Sequence, residues 1–393
     1  MKTHRNQKPF PFQTKISRKV VAQFNGGAIT SDAGGLLLQQ TERLTGIISQ
    51  FTSSFTDHRD PGLIEHTVEQ LVAQRIYALA LGYEDLNDHD ELRHDPLLAV
   101  LVGKQEPTGS HRIRKRDQGK ALAGKSTLNR LELTPVSANK HSRYKKITLN
   151  TRSADRFFTN IFLQSYPKPP SSIVLDLDAT DDPIHGHQLG RFFHGYYKCY
   201  CYLPLYIFCG EHLLCAQLRP SDLDASAGSV RQLARILSQI RSQWPEVQVT
   251  IRGDSGFCRE EIMSWCEDHG VDYILGLARN ERLKREITTE MNQAREIYRH
   301  TLQAARVFKD FDYQTLTRWR RSRRVIGKAE YLARGENPRF VVTSLSAETL
   351  DARTLYEDKY CARGEMENRI KEQQLYLFAD RTSAATLRAN QLR

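Results

Sequence analysis

Two apolar runs in the second half of the chain end in aspartates. Residues 173–178 read Ile-Val-Leu-Asp-Leu-Asp, and residues 247–254 read Val-Gln-Val-Thr-Ile-Arg-Gly-Asp. Short runs rich in valine and isoleucine are typical of buried strands. A carboxylate at the edge of a core is costly unless it is paired, hydrogen-bonded or bound to a metal. The pattern therefore constrains the chain to a fold that gathers acidic side chains at the ends of its strands.

The segments around these runs alternate between strand and helix patterns. Two apolar runs joined through Gly210 and Glu211 predict a hairpin. The whole alternation predicts an α/β fold, a mixed sheet with helices on both faces, in which the first and fourth strands are neighbours. Asp178 and Asp254 then lie side by side. The predicted elements are, in order, strands over 173–177, 203–209 and 213–218, a helix over 227–244, a strand over 247–251, a helix over 259–269 and a strand over 271–275.

The flanking regions carry other patterns. A basic arm over 1–24 precedes helical periodicity that continues to residue 165, and alternating segments follow residue 280. A further helix is predicted over 358–378. The last helical pattern, over 382–393, has no stop signal, so we expect its domain to be truncated at the C-terminal end. The predicted domains are an all-helical N-terminal domain over 1–165, an α/β domain over 171–279 and 347–393, and a β-rich insertion over 280–346.

The chain is strongly basic, with 57 Lys and Arg against 46 Asp and Glu, a formal net charge of +11 and a pI of about 9.3. Residues 106–150 hold 11 basic residues against three acidic ones, and residues 303–334 hold nine against three. Two such tracts predict binding to the phosphates of a nucleic acid. The alternative is an ordinary basic enzyme.

Other features favour a cytoplasmic protein. The seven cysteines form no C-x-x-C pair, and a chain of 393 residues does not need disulfides for stability. The N-terminus has no apolar stretch typical of a signal peptide. No run approaches 18 apolar residues, so we expect no membrane span.

Residues 119–126 match the phosphate-binding loop pattern G-x4-G-K-[ST], with Lys125 as its lysine. That loop must follow a buried strand, which presents the loop amides to the phosphates. Here the preceding residues, 111–117, are mostly charged. We therefore interpret the match as a basic loop before a capped helix.

A third carboxylate, on the helix predicted over 358–378, would join Asp178 and Asp254. Three carboxylates at one sheet edge offer the hard oxygen ligands that Mg²⁺ and Mn²⁺ prefer. Two such ions about 3.5–4 Å apart can activate the attacking oxygen and stabilise the leaving oxygen in phosphoryl transfer. The alternative is that each aspartate caps a loop or pairs with Arg252 or Arg363.

Three motifs together resemble the DDE transposases of bacterial insertion sequences. They are Asp178-Ala179-Thr180, the Gly-Asp-Ser-Gly-Phe of 253–257, and Tyr360-x2-Arg363-x3-Glu367. Within that family the chain resembles the group with a Tyr, Arg, Glu, Lys signature, and insertion-sequence family 1380 in particular. The same likeness extends to residues 24–27, 124–130 and 201–206, so it covers nearly the whole chain.

The resemblance implies a ribonuclease H-like catalytic domain, interrupted by a β-rich insertion before the glutamate. It assigns Asp178, Asp254 and Glu367 as catalytic and metal-binding residues for two Mg²⁺ ions, which Mn²⁺ can replace. Asp176 and Glu365 compete for the first and third positions. The Asp-x-Thr context favours Asp178, and the spacing from the signature tyrosine favours Glu367.

The resemblance also implies DNA contacts. Tyr360, Arg363 and Lys371 would lie on one face of the catalytic helix and contact phosphate. The lysine of the signature falls at Gln374 in this chain, and Lys371 is one turn earlier. Trp319 would hold a flipped base, or else be a core residue of the insertion. Further DNA-binding candidates beside it are Arg320, Arg321 and Arg323.

The predicted function is that of a transposase that cuts and joins DNA at the terminal inverted repeats of its element. The helical domain and the tract over 106–150 would recognise those ends, and two copies would act as a dimer on double-stranded DNA near the nucleoid. A metal-dependent nuclease of the same fold, and a DNA-binding copy without catalysis, are the alternatives. One aromatic cluster is predicted to be a packed loop rather than a stacking surface: Phe192, Phe193, Tyr196 and Tyr197.

Overall fold

A computed structural model describes residues 30–393 and two short strands before them. These strands, β1 (Phe10–Phe12) and β2 (Val20–Ala22), pair in an antiparallel manner. The rest of the predicted basic arm over 1–24 lies outside the described residues.

The N-terminal part is mainly helical but contains a small sheet. Strands β3 (Phe55–Asp57) and β4 (Ile147–Leu149) are antiparallel, so the prediction of an all-helical region is wrong at this point. The two strands are separated by about 90 residues, and each is too short to give a clear alternation in the sequence. The helices are α1 (Gly35–Thr45), α2 (Ile47–Thr52), α3 (Val68–Ala80), α4 (His89–Leu92), α5 (Pro96–Leu101), α6 (Lys125–Glu132) and α7 (Thr151–Gln164).

Local sequence explains where these helices begin. Thr67 accepts a hydrogen bond from the backbone of Gln70, and the Gln70 side chain accepts one from Thr67, a reciprocal cap that starts α3. Asn150 caps α7 through the backbone N–H of Ser153. The segment 103–124, before α6, consists of loops and one short 3-10 turn, which agrees with our rejection of a phosphate-binding loop.

The remainder of the chain forms a large mixed sheet, a small side sheet and the helices that cover them. The helices are α8 (Ser229–Gln243), α9 (Glu260–Asp268), α10 (Glu281–Glu286), α11 (Thr288–Thr301), α12 (Ala352–Thr354), α13 (Gly364–Leu377) and α14 (Leu387–Leu392). The strands are β5 (Ser172–Ala179), β6 (Asp182–Pro183), β7 (Phe192–His194), β8 (Cys199–Tyr202), β9 (Leu205–Cys209), β10 (His212–Gln217), β11 (Gln248–Gly253), β12 (Asp272–Leu277), β13 (Ala305–Tyr313), β14 (Arg323–Leu332), β15 (Gly335–Glu336) and β16 (Arg339–Thr343).

The large sheet has the order β10-β9-β5-β11-β12-β16-β14-β13, with β15 paired to β14. Strands β5, β11 and β12 run parallel, and β9 and β10 form the predicted hairpin around Gly210, whose φ is +56°. The predicted neighbourhood of the first and fourth strands, β5 and β11, is confirmed. A mixed α/β sheet of this kind fits the ribonuclease H-like expectation.

The segment predicted as a separate β-rich insertion, 280–346, belongs to the same sheet. It begins with helices α10 and α11, and its strands β13, β14 and β16 continue the sheet beyond β12. The packing explains this, because Val325, Phe340 and Val342 share one core with strands β5 and β11. Alternation in a sequence predicts a strand but does not identify the strand with which it pairs.

The segment that precedes the helix α13 is irregular. Residues Leu355–Tyr360 form a π-helical turn and Cys361–Arg363 a 3-10 turn, so the regular helix predicted over 358–378 begins only at Gly364. Within this segment the carbonyl of Lys359 accepts a hydrogen bond from the Arg252 guanidinium of β11. Irregular turns of this type are frequent at functional sites.

Helix α13 lies on the face of β9, where Met366 and Ile370 pack against Tyr206 and Phe208. Leu377, the last residue of this helix, is half exposed. No helix within the described residues is long and apolar enough to cross a membrane.

Candidate active site

Two of the predicted carboxylates lie side by side at one end of the sheet. Gly253 of β11 pairs with Leu177 of β5. Asp254 and Asp178 are the next residues along these two parallel strands, so they lie side by side. Asp178 accepts a hydrogen bond from the backbone N–H of Ala179 at 2.8 Å, and Asp254 accepts one from that of Gly256 at 2.8 Å. Each aspartate is therefore fixed by a backbone N–H at one of its oxygens, and the second oxygen of Asp178 faces Arg363.

Arg363 brings the third predicted carboxylate to the same place. Its guanidinium lies 2.8 Å from Glu367 and 3.5 Å from Asp178, and Asp254 is close enough to act on it electrostatically. These carboxylates hold the pKa of Arg363 above its ordinary value although burial opposes that change. Arg363 thus contacts Asp178 and Glu367 directly, and Asp254 lies near enough for its charge to act on the same guanidinium.

The electrostatics single out Asp178. Burial is the main cause that raises the pKa of this carboxyl to about 6, and the charges of Asp254 and Glu367 raise it further. Arg363 and the Ala179 N–H act in the opposite direction. A buried carboxyl that feels two neighbouring carboxylates has the environment expected where a cation binds.

The two competing carboxylates have other surroundings. Asp176 is buried, and both of its carboxylate oxygens pair with the Arg252 guanidinium. The contact between Arg252 Nη2 and Asp176 Oδ2 measures 2.7 Å. The charge of Asp176 is therefore compensated by Arg252 inside the protein. Glu365 is exposed, and it is Glu367 rather than Glu365 that acts on Asp178.

The donor set fits a hard divalent cation by its chemistry, since it consists of three carboxylates at one sheet edge. Among the residues that the structure describes, no three His, Cys, Asp or Glu side chains are close enough to hold one metal ion. Arg363 lies between two of the three and reduces their mutual repulsion. Metal binding at this place would require Arg363 to turn away from Asp178 or Glu367.

Tyr360 lies beside the carboxylates and touches a constrained strand position. Its hydroxyl would be 2.5 Å from a Cβ atom placed on Gly276 of β12, and the backbone of Asp254 would be 3.2 Å away. Only glycine leaves room for the tyrosine at this point. Burial and the charge of Asp254 raise the pKa of Tyr360.

The position of the signature lysine is occupied by Gln374, which faces a buried carboxyl. Gln374 lies near Asp182 of β6, which is 1% exposed, and its side chain acts to lower the pKa of that carboxyl. One oxygen of Asp182 has no hydrogen-bond partner. Burial, with the nearby charge of Asp380, raises the pKa of Asp182 to about 8. Lys371 is exposed on the same helix.

The candidates in the second basic tract are placed differently. Trp319 is 7% exposed and packs edge-on against Tyr313, with ring centroids 5.8 Å apart. Arg323 is buried between Glu260 and Glu267 at 2.7 Å from each. Burial of both side chains is at odds with their predicted DNA contacts in this conformation. Arg321 pairs with Glu267 but is more than half exposed, and Arg320 is exposed.

The first basic tract faces solvent. Arg130 and Arg143 place their guanidinium groups 5.1 and 4.9 Å from the ring centre of the exposed Tyr144. Other basic side chains of the tract are also exposed: Arg114, Lys115, Arg116, Lys140 and Lys145. The first tract therefore exposes more basic side chains to solvent than the second tract does.

One residue near the site was missed by sequence reasoning. The Tyr197 hydroxyl donates to the carbonyl of Ala179 at 3.2 Å, directly after Asp178. Burial and the charges of Asp181 and Asp178 raise the pKa of this tyrosine. No spacing in the sequence signals the contact, because the hairpin that carries Tyr197 folds back over the strand end.

Comparison with known proteins identifies the family of the chain. A family model described as the transposase DDE domain group 1 matches residues 12–393. A search of curated proteins gives no significant match. The family's members act on DNA and generally use divalent metal ions. Since the match covers almost the whole chain and includes all three gathered carboxylates, the chain belongs to the DDE transposases.

Proposed function

We propose that this transposase binds the terminal inverted repeats of an insertion sequence and there performs strand cleavage followed by strand transfer. The observation that carries the proposal is the convergence of Asp178, Asp254 and Glu367 around Arg363. The spacing of Tyr360, Arg363 and Glu367 supports the Tyr, Arg, Glu, Lys signature group and, within it, insertion-sequence family 1380.

The chain's own residues would have separate roles. Asp178, Asp254 and Glu367 would hold the cations, and Asp176 with Arg252 would keep β5 and β11 in register. Two bound Mg²⁺ ions, or Mn²⁺ in their place, would supply activation of the attacking oxygen and stabilisation of the leaving oxygen.

Arg363 is the natural residue to accept the scissile phosphate. It already lies among the carboxylates, and its guanidinium can bind phosphate oxygens with two parallel hydrogen bonds. A phosphate would draw Arg363 away from Asp178 and leave the carboxylates free for cations. Tyr360 and Lys371 would contact the neighbouring phosphates.

The reaction would proceed in two steps, a hydrolysis followed by a transesterification. A water attacks the phosphodiester at the element end, and the bond to the 3′-oxygen breaks to leave a 3′-hydroxyl. That hydroxyl then attacks a phosphodiester of the target and displaces its 3′-oxygen. Neither step needs a covalent link between protein and DNA.

The exposed tract around Tyr144 is the best candidate for recognition of the element ends. It presents cations that can contact phosphates along a duplex, which the mostly paired cations of the second tract cannot do as readily. Pairing of two ends would require two copies of the chain. We therefore propose a homodimer on the paired ends, acting in the cytoplasm near the nucleoid.

The test is a cleavage assay with Mg²⁺ or Mn²⁺ on DNA that carries the native ends of the element. Asp178→Ala, Asp254→Ala and Glu367→Ala should each abolish cleavage while DNA binding persists. Glu365→Ala is the matched control, since it removes a carboxylate from the same helix but outside the gathered three.

The products distinguish the alternatives. Joined strands support a transposase, and cleavage without joining in any target indicates a nuclease of the same fold. Binding without cleavage by the native chain indicates a catalytically inactive DNA-binding copy. Cleavage that survives Asp254→Ala would contradict the assignment of the site.

A further inference from the structure

A hairpin beside the catalytic carboxylates carries exposed aromatic side chains. We call residues 192–202, which comprise β7, its turn and β8, the aromatic hairpin. The prediction that Phe192, Phe193, Tyr196 and Tyr197 form a packed loop is wrong, because Tyr196 is 83% exposed, Phe193 58% and Phe192 43%. The neighbouring Tyr200 is 49% exposed. Large aromatic side chains exposed together indicate a binding surface rather than a core.

Two of the exposed rings lie on the same face of the hairpin. Phe193 pairs directly with Tyr200 across the two strands, and their ring centroids are 5.6 Å apart. Tyr196, at the turn, stands edge-on to Tyr197 with centroids 5.0 Å apart. The rings are therefore spread over the hairpin in edge-to-face contacts instead of being stacked on each other.

The hairpin is held in place by specific hydrogen bonds. The Lys198 N–H donates to the His194 carbonyl at 2.8 Å and closes the turn, with Lys198 at a φ of +57°. Ser221 donates to the Phe192 carbonyl at 2.9 Å, and the buried Tyr202 donates to the Leu189 carbonyl at 2.7 Å. The exposed rings are thus presented on a supported element.

The aromatic hairpin is connected to the catalytic edge. The hydrogen bond from Tyr197 to the Ala179 carbonyl fixes its turn next to Asp178. A ligand that lies on Tyr196 therefore lies close to the proposed point of cleavage.

The charges on this surface suit a polyanion. The Arg191 guanidinium lies 4.8 Å from the centre of the Tyr200 ring, and the exposed Lys198 stands at the turn. Cations interleaved with ring faces are the combination by which proteins bind single-stranded nucleic acid, with phosphates on the cations and bases on the rings.

We propose that the aromatic hairpin binds unpaired bases of the DNA strand that is cut, and stacks them on Tyr196, Phe193 and Tyr200 next to Asp178. The inference rests on the proposed function, since that function places a DNA end at this edge of the sheet. It assigns to the hairpin the role that the sequence suggested for the buried Trp319.

The test measures binding of the full chain, without metal, to two DNA strands of 20 nucleotides each at one fixed salt concentration. One strand is oligothymidylate, and the other is an abasic strand with the same number of phosphates. The triple variant Phe193→Ala, Tyr196→Ala, Tyr200→Ala should weaken binding of oligothymidylate by about tenfold or more, because each lost stack removes a substantial part of the affinity. Binding of the abasic strand should change by less than about twofold.

Two matched controls complete the design. Tyr196→Phe with Tyr200→Phe keeps the rings and should retain the affinity for oligothymidylate. Leu316→Ala removes an apolar side chain that is 83% exposed outside the hairpin and should have no effect. Sedimentation of the same variants tests whether the rings instead hold a second copy of the chain.

Three results would overturn the proposal. They are an unchanged affinity of the triple variant, an equal loss for the abasic strand, and a change of oligomeric state without a change in DNA binding. Metal-dependent cleavage of paired ends by the native chain tests the proposed function separately. If cleavage fails while base-dependent binding persists, the proposed function is wrong and the stacking surface is supported. If cleavage occurs but binding does not depend on the bases, the stacking surface is wrong and the proposed function is supported.

Discussion

Replacement of the buried Asp182 by asparagine gives the sharpest test of the electrostatics of this fold. Asp182 is 1% exposed, one of its oxygens has no hydrogen-bond partner, and its pKa is raised to about 8. In the unfolded chain the same carboxyl titrates near 3.8. The folded state therefore binds one more proton between these two values, and the protein loses stability as the pH rises through them.

The magnitude follows from the linkage between proton binding and folding. Each pH unit between the two pKa values lowers the free energy of unfolding by about 1.4 kcal/mol. Asparagine does not titrate, so Asp182→Asn should gain on the native chain by about 2 kcal/mol between pH 6 and pH 8. The gain should level off above pH 8, where the native carboxyl is already ionised.

Urea unfolding at half-unit steps from pH 6 to pH 9 measures this difference. The control is Asp268→Asn, which removes one negative charge from an exposed position at the end of α9 and reports the general effect of net charge. The reasoning is refuted if the difference between Asp182→Asn and the native chain does not depend on pH, or if it falls as the pH rises.

Three further changes probe the site and its supports. Gln374→Lys brings an ammonium group to Asp182 and should lower the pKa of that carboxyl by about 1–3 pH units, and an unchanged pH dependence of unfolding would contradict the contact. Arg252→Leu leaves Asp176 buried without a partner and should lower the free energy of unfolding by about 3–5 kcal/mol; the double variant with Asp176→Leu should recover most of it, and no recovery would refute the pairing. Gly276→Ala displaces the tyrosine hydroxyl beside the site and should slow cleavage by roughly 100-fold, with a cost of about 1–3 kcal/mol in stability; a native cleavage rate would show that the close approach is not needed.

The sequence was sufficient for the half of the sheet that bears the aspartates. Apolar runs that end in acid identified β5 and β11, and the strand–helix alternation between them required that they be neighbours. Gly210 located the hairpin of β9 and β10, because a residue at positive φ in the turn favours glycine. These features depend on local patterns or on simple rules of chain connection.

Features that depend on long-range partners could not be predicted. The chain before Gly364 forms irregular turns, and there Arg252, more than 100 residues earlier, binds the carbonyl of Lys359. Arg323 was expected at a DNA surface, yet Glu260 and Glu267 on α9 hold it in the interior. A charged residue in a sequence does not reveal whether its partner is a phosphate or another side chain.

The sheet also explains what cannot be removed from this chain. Strands β14 and β16 continue the sheet past β12, and Ile326 and Val341 on them pack with Ile274 against the segment that leads to Glu367. Excision of 280–346 to make a smaller enzyme would turn β12 into a bare edge that is prone to aggregation. It would also remove the apolar contacts that support the segment before the glutamate-bearing helix. A minimised version of this transposase must keep these strands, and shortening is feasible only at loops that lie outside the shared core.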